Sequence, residues 1–207
     1  MYQEILTIFD EIYEVEDVSG YRSELIKVLD AFKLPETDHP PLDLSERDTI
    51  LITYGDAIQA ESQKPLAVSK NFLIRNVRDA ISAVHLLPFF PYSSDDGFSV
   101  IDFYKVDPQL GTWREIDSLA EAYDLMFDAV INHISVESDW FRKYLTGHPD
   151  YKDYFITVEN QADIREVFRP RALPLLTAFE TPDGMKRVWT TFSADQVDLN
   201  YQNPQVL

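Results

Sequence analysis

Between residues 49 and 132, three short apolar runs alternate with two amphipathic segments, and this order constrains the fold more than any other feature. The apolar runs are TILITYGDA (49–57), SAVHLLPFFP (82–91) and DLMFDAVIN (124–132), and the amphipathic segments are LAVSKNFLIRNVRDAI (66–81) and TWREIDSLAEAY (112–123). The runs predict buried strands and the amphipathic segments predict helices. This order is typical of parallel strands joined by right-handed crossovers. Because the strands are nearly continuously apolar, either helices cover both faces of the sheet or the sheet closes into a barrel.

The flanking segments follow other patterns. Residues 1–45 predict a helical extension and linker, because two stretches with helical spacing are followed by a proline-rich segment. Residues 134–200 are aromatic and turn-rich, with short strands at best, and predict a domain inserted after residues 46–133, the strand–helix part. Residues 201–207 predict the start of a helix, with Asn203 as its cap and Pro204 at its first position. We expect the sequence to be truncated there.

Composition excludes several classes of function. The net charge of −18 leaves no basic stripe for nucleic acid and disfavours anionic membranes. The chain has no cysteine, which excludes disulfides, thiolate zinc sites and cysteine nucleophiles. Its acidic N-terminus does not resemble a signal peptide, and no apolar stretch approaches the roughly 18 residues of a membrane span. We therefore predict a cytoplasmic protein without nucleic-acid or membrane partners; a homo-oligomer stays open, because no feature fixes the oligomeric state.

Three stretches resemble motifs of the α-amylase superfamily. DAVINH (128–133) resembles the Asp-x-x-x-Asn-His motif of the third barrel strand, and DQVDLN (195–200) resembles the Gln-Pro-Asp-Leu-Asn motif of the inserted domain. HLLPFFPYSSDDGFSVIDFYKVDPQLGTW (85–113) is similar to the loop after the second strand. LITYGD (51–56) and FRPRALPLLT (168–177) further resemble the sucrose phosphorylase branch. Within that branch, SSDDGFS (93–99) and the N-terminal extension most resemble the glucosylglycerate phosphorylase group.

The resemblance implies a fold and a reaction. The fold is α/β: the first three strands of a (β/α)8 TIM barrel, an inserted irregular α+β B domain and an N-terminal helical extension. Catalytic residues of such barrels lie at the carboxyl ends of the strands. Retaining cleavage of a glycoside needs a carboxylate nucleophile and a carboxyl acid/base. The family carries these on its fourth and fifth strands, so we expect the nucleophile and the acid/base beyond residue 207.

Four residues are predicted to bind the sugar. The resemblance assigns hydroxyls of the cleaved glucose to Asp95 and to a neutral His133, and it makes Phe98 an aromatic platform. Asp96 is a second candidate, since two adjacent aspartates leave the register open. The alternatives are structural: Asp95 as a turn residue in SSDDG, Phe98 as core, and His133 as a histidine at a strand end.

Arg169 and Arg171 are predicted to bind the second substrate. Arginine can grip a phosphate or a carboxylate with two parallel hydrogen bonds. In the phosphorylase branch, the second arginine of Arg-Pro-Arg, here Arg171, lies near the phosphate and acceptor site; the alternative is a surface pair offsetting an acidic protein. Asn132 and Asp198 are predicted to form structural hydrogen bonds rather than a calcium site. We predict no metal and no cofactor, with inorganic phosphate as a co-substrate.

Three functional hypotheses follow from the sequence. The first is the N-terminal part of a retaining phosphorylase that reversibly converts an α-glucoside and phosphate to α-glucose 1-phosphate. The second is a retaining hydrolase or transglucosidase of the same superfamily. The third is that the isolated chain is a non-catalytic fragment, because three barrel strands leave an open edge and an uncovered apolar face.

Overall fold

A computed structural model describes most of the chain. The chain divides into two compact units. The first unit comprises Met1–Leu44 and Asn200–Leu207, and the second comprises Ser45–Leu199. The residues described are 2–13, 19–31, 45–78, 80–158, 164, 167 and 171–206.

The first unit is helical. Helices α1 (Tyr2–Ile12) and α2 (Ser19–Ala31) confirm the two predicted N-terminal helices. Near the other end of the chain, Pro204–Val206 forms one turn of 3-10 helix. The side-chain oxygen of Asn203 accepts a hydrogen bond from the backbone nitrogen of Gln205 at 3.1 Å, which confirms its capping role.

The second unit is built around a three-stranded parallel sheet. Its strands are β1 (Ile50–Thr53), β2 (Ala83–Leu86) and β3 (Asp124–Phe127), in the order β1-β2-β3. Helix α3 (Pro65–Asn76) follows β1, and α4 (Trp113–Ala120) follows β2. The predicted strand–helix–strand–helix–strand unit is therefore confirmed.

Local sequence explains where both crossover helices begin. Pro65 occupies the first turn of α3, where its missing N–H costs nothing. Helix α4 starts with a capping box: the Thr112 hydroxyl accepts from the backbone nitrogen of Arg114 at 3.2 Å, and the Glu115 carboxylate accepts from that of Thr112 at 2.7 Å. Such a cap contributes about 1 kcal/mol.

The two faces of the parallel sheet differ in burial. One face packs against the helices, with Val84 of β2 fully buried against Leu73 of α3 and Leu119 of α4. On the other face, Ile50 and Ile52 remain 44% and 62% exposed. Helices on one side and an apolar surface on the other are the arrangement of a barrel wall, so the fold is a partial barrel.

The third predicted strand is shorter than expected. It ends at Phe127 rather than at Asn132 and His133, because its neighbour β2 is followed by Pro88, which has no N–H to extend the ladder. His133 instead begins a separate strand, β4 (His133–Ser135). The prediction that His133 ends the third parallel strand was therefore wrong.

The remaining strands belong to the inserted part. Helix α5 (Asp139–Leu145) precedes an antiparallel sheet of β5 (Thr157–Val158), β6 (Leu176–Thr181) and β7 (Gly184–Trp189), in the order β5-β7-β6. The ring of Phe141 in α5 packs edge-on against Phe155 and Phe179. Strand β8 (Gln196–Asp198) then pairs antiparallel with β4. The six-residue strands of the hairpin are longer than the sequence predicted.

Among the helices of the described ranges, none has the length and hydropathy needed to cross a lipid bilayer.

Candidate functional site

The segment 93–99, which we call the serine loop, has a strained backbone. Three consecutive residues, Asp95, Asp96 and Gly97, have φ values of 57°, 51° and 102°. Aspartate tolerates this left-handed region better than most residues, and glycine tolerates it freely. The carbonyl of Asp95 closes the turn by accepting a hydrogen bond from the backbone nitrogen of Phe98 at 3.0 Å. Strain of this kind concentrates at functional sites.

The serine loop forms one wall of a cavity of about 450 Å³, which we call the site cavity. Its lining consists of Tyr54, Asp95, Asp96, Phe98, His133, Arg171 and Phe192. Five of the six residues predicted to bind substrate therefore surround one space. The sixth, Arg169, lies outside the described residues.

Asp95 and Arg171 form an ion pair inside the site cavity. The Nη2 atom of Arg171 lies 3.1 Å and 3.0 Å from the two carboxylate oxygens of Asp95. The guanidinium also lies 5.8 Å from the centre of the Phe192 ring, within cation–π range. The sequence assigned these two residues to different substrates, so their direct pairing was not predicted. The residue predicted to bind the sugar and the residue predicted to bind the anion are therefore in direct contact.

Gln196, at the start of β8, lies between the two predicted sugar-binding residues, Asp95 and His133. Its side chain is fully buried, and its Nε2 atom lies 3.0 Å from Asp95 Oδ2 and 3.1 Å from His133 Nε2. The Gln196 Oε1 atom accepts from the Ser193 hydroxyl at 2.9 Å, which fixes the orientation of the amide. Gln196 therefore donates to the Asp95 carboxylate. The residue lies in the DQVDLN motif, but the motif alone did not predict a role for it.

His133 is 5% exposed and is linked to the serine loop. Its Nε2 atom lies 3.0 Å from the carbonyl oxygen of Phe98. Because a carbonyl only accepts, we assign the ring hydrogen to Nε2. Burial lowers the pKa of His133, and the Phe98 carbonyl partly offsets this, so the ring is neutral as expected. His133 therefore has a structural hydrogen-bond partner, the Phe98 carbonyl, as the structural alternative predicts. It also lines the site cavity.

Asp198 and Asn132 are neighbours of His133: Asp198 is opposite it in the β4–β8 pair, and Asn132 Nδ2 lies 3.4 Å from its Nδ1 atom. The backbone nitrogen of Thr191 donates to Asp198 Oδ1 at 3.2 Å, and the Thr191 hydroxyl donates to Oδ2. Burial raises the pKa of Asp198, and the hydrogen bonds from Thr191 oppose that shift. Asp198 thus makes hydrogen bonds of the kind predicted for it. Within the described ranges, no group of three or more histidine, cysteine or acidic side chains is arranged to hold a metal.

The buried histidine predicts a dependence of stability on pH. The unfolded chain binds a proton near the ordinary histidine pKa of 6.5, whereas folded His133 does so only at lower pH. Below pH 6.5 the unfolded state therefore holds more protons, and the free energy of unfolding falls as the pH is lowered. Urea unfolding of the wild type and of His133→Gln, from about pH 5 to pH 8, measures this contribution.

The pH experiment needs the variant because Asp198 acts in the opposite direction. Its raised pKa makes the folded state hold the extra proton, so only the difference between wild type and His133→Gln reports the histidine. His148, whose side chain is 43% exposed, provides the matched control His148→Gln. A stability difference independent of pH between wild type and His133→Gln would contradict the prediction.

Comparison with known proteins identifies the family. The model of the α-amylase catalytic domain matches residues 79–207. The chain belongs to the α-amylase family. It is 57% identical over 163 residues to the glucosylglycerate phosphorylase of Allomeiothermus silvanus, covering 79% of this chain and 29% of that protein. It is 45% identical to the glucosylglycerate phosphorylase of Escherichia coli K12, covering 100% of this chain and 37% of that protein.

A solved structure of the α-amylase family supports the fold. The sucrose 6F-phosphate phosphorylase of Thermoanaerobacter thermosaccharolyticum superposes with a TM-score of 0.70 at 30% identity, covering 79% of this chain and 35% of that one. The predicted superfamily and its phosphorylase branch are therefore confirmed. The chain spans about a third of the length of the curated relatives it matches.

Two cavity-lining aromatic residues were missed by the sequence analysis. Tyr54 follows β1 inside the LITYGD stretch, and Phe192 precedes β8. The ring of Phe192 packs 5.0 Å from that of His133. Both residues lie in or near motifs that resemble the family, and this was the only signal in the sequence. A single aromatic residue, however, belongs more often to the core than to a binding site.

Proposed function

We propose that this chain is the N-terminal part of a retaining α-glucoside phosphorylase, which reversibly converts a sucrose-like or glucosylglycerate-like substrate and phosphate to α-glucose 1-phosphate. The observation that carries the proposal is the Asp95–Arg171 pair inside one cavity. The carboxylate accepts hydrogen bonds from sugar hydroxyls, and the guanidinium binds an oxyanion.

The lining of the site cavity supports a glucosyl group as the ligand. Phe98, Tyr54 and Phe192 provide ring faces that suit the apolar C–H face of a sugar. Asp95 and Asp96 provide carboxylate oxygens beside them. Neutral His133 adds a polar wall without a charge, which suits an uncharged sugar.

Arg171 supports an anionic second substrate. The site cavity belongs to a chain of net charge −18, so a phosphate needs a local cation to approach. In the proposed reaction, sugar hydroxyls take over the Asp95 carboxylate, and the Arg171 guanidinium then turns to the phosphate. A glucosylglycerate substrate also carries a carboxylate, which the same guanidinium would bind. The relatives named glucosylglycerate phosphorylase favour this acceptor.

The proposal is tested with the full-length protein that contains this chain. It is incubated with glucosylglycerate or sucrose, with and without inorganic phosphate, and the products are separated by chromatography. Accumulation of α-glucose 1-phosphate only with phosphate is expected. Free glucose at the same rate in both conditions would identify a hydrolase instead, and new glucosides would identify a transglucosidase.

The isolated 207-residue chain is proposed to be non-catalytic. One apolar face of the parallel sheet is exposed: the side chains on it, Ile50, Ile52 and Met126, are 44–62% exposed. This is expected for part of a barrel wall that lacks the other barrel strands. The nucleophile and the acid/base, expected beyond residue 207, would complete the site.

Replacing Arg171 by alanine is expected to raise the KM for phosphate of the full-length protein roughly tenfold to hundredfold. The reason is that the variant loses one or two charge-assisted hydrogen bonds. Initial rates at varied phosphate concentration measure the effect. Arg114→Ala on the exposed part of α4 removes the same charge away from the site cavity and serves as control. An unchanged phosphate dependence in Arg171→Ala would exclude this role.

The remaining predictions about the protein stay proposals. These are the cytoplasmic location, the absence of nucleic-acid and membrane partners, and the lack of a metal or cofactor. They also include the role of Arg169 and the four-part division of the chain. Whether the protein forms a homo-oligomer stays open.

A further inference from the structure

The Asp195 carboxylate, just before β8, is surrounded by serine hydroxyls of the serine loop. Its Oδ2 atom accepts from Ser93 Oγ at 2.6 Å and from Ser99 Oγ at 2.9 Å, and the Ser94 hydroxyl is a third donor. A single carboxylate oxygen thus accepts three hydroxyl donors. Hydrogen bonds to a charged acceptor are stronger than neutral ones.

The backbone of Asp195 strengthens the same connection. Its carbonyl oxygen accepts from the backbone nitrogen of Val136, just after β4, at 3.0 Å and lies 3.2 Å from Ser99 Oγ. Ser193 also holds Asp195 in place, because the Ser193 hydroxyl accepts a hydrogen bond from the backbone nitrogen of Asp195 at 3.3 Å. Asp195 is therefore fixed on the inserted part of the chain and not on the loop that it binds.

The serine donors lie at the two ends of the strained turn. Ser93 and Ser94 come before the left-handed residues 95–97, and Ser99 comes after them. Backbone hydrogen bonds already join these ends, from Ser93 N to Ser99 O at 3.0 Å and from Ser99 N to Ser94 O at 3.2 Å. A strained backbone persists only where its surroundings over-determine it, and Asp195 supplies bonds from outside the loop.

We propose that Asp195 is the positioning residue of the sugar-binding loop. By holding the serine hydroxyls, its carboxylate keeps Asp95 and Phe98 where the proposed glucosyl group would meet them. Asp195 does not line the site cavity itself, so its effect on the substrate passes through the loop. This inference rests on the proposed function, but the conformation of the loop can be measured independently of it.

The first experiment measures the loop alone. Amide hydrogen exchange of the full-length protein that contains this chain is compared between wild type and Asp195→Ala, at the backbone nitrogens of Phe98 and Ser99. We expect exchange at these two amides to accelerate at least roughly tenfold, while the amides of β2 and α3 keep their protection. Asp183→Ala, an aspartate with a 78% exposed side chain in the β6–β7 turn, is the matched control.

The second experiment measures the substrate in the full-length protein. Asp195→Ala is expected to raise the KM for the glucoside roughly tenfold with kcat changed less than about threefold, as when ground-state and transition-state binding are lost together. Asp195→Asn keeps one carbonyl oxygen as an acceptor and should recover part of the affinity. Ser94→Ala combined with Asp195→Ala should cost less than the sum of the single changes.

The outcomes separate this inference from the proposed function. Unchanged exchange at Phe98 and Ser99 would overturn the positioning role, and so would uniform acceleration across the whole second unit, which would indicate a merely structural residue. A lowered kcat with unchanged KM would overturn it as well. If the wild type makes no α-glucose 1-phosphate while exchange accelerates only in the loop, the proposed function fails and the positioning of the loop stands.

Discussion

Gly97→Ala is expected to lower the free energy of unfolding by about 3–4 kcal/mol and to disrupt the conformation of the serine loop. The residue has φ of 102°, which side-chain-bearing residues rarely adopt, and an added Cβ would lie 2.8 Å from the carbonyl oxygen of Pro88. A backbone atom cannot move aside as a flexible side chain can. Urea unfolding followed by circular dichroism measures the loss.

Gly184→Ala is the matched control for this prediction. Gly184 has φ of 107°, but an added Cβ would meet no atom within 4 Å, so only the backbone strain remains. We expect a loss of about 1–2 kcal/mol for this change. The difference between the two variants isolates the contact with Pro88, and equal losses would show that the close approach has no energetic consequence.

The second large effect is expected for Asp95→Asn, which should lower kcat/KM of the full-length protein roughly 10²–10³-fold. The amide has the same shape but loses the charge that the proposed sugar hydroxyls, Arg171 and Gln196 all use. Each lost hydrogen bond to a charged group costs about 1.5–3 kcal/mol, and about 1.36 kcal/mol corresponds to a factor of ten. Steady-state rates with the glucoside measure the effect.

Asp96→Asn tests which of the two adjacent aspartates binds the sugar. Both residues line the site cavity and both have left-handed backbones, so the variants differ only in the carboxylate removed. Asp95 holds both Arg171 and Gln196, whereas Asp96 makes no such pair of contacts within the described ranges. We expect less than about a tenfold loss for Asp96→Asn. A larger loss than for Asp95→Asn would reverse the assignment.

The parallel unit was predictable because its signal is local. Apolar runs and amphipathic segments identified β1 to β3 and their helices, although α3 ends at Asn76 rather than near residue 81. The end of β3 was not predictable in this way. It depends on Pro88, which follows a neighbouring strand, and periodicity within DLMFDAVIN cannot report such a partner.

The site was predicted in part for a different reason. Motifs selected Asp95, Phe98, His133 and Arg171, because each lies in a stretch resembling one family. They did not predict that Arg171 contacts Asp95, nor that Gln196 lies between Asp95 and His133. Those contacts join residues 63 to 101 positions apart, and a single sequence carries no record of such pairs.

The bond between Ser93 and Asp195 spans 102 positions, and this separation sets an order of events in folding. Closing so long a segment costs loop entropy before any contact repays it. A ribosome that adds residues in sequence releases the serine loop long before its acceptor exists. We therefore expect the site cavity to be among the last features to form, after the intervening helix and hairpin have shortened the path between its two halves.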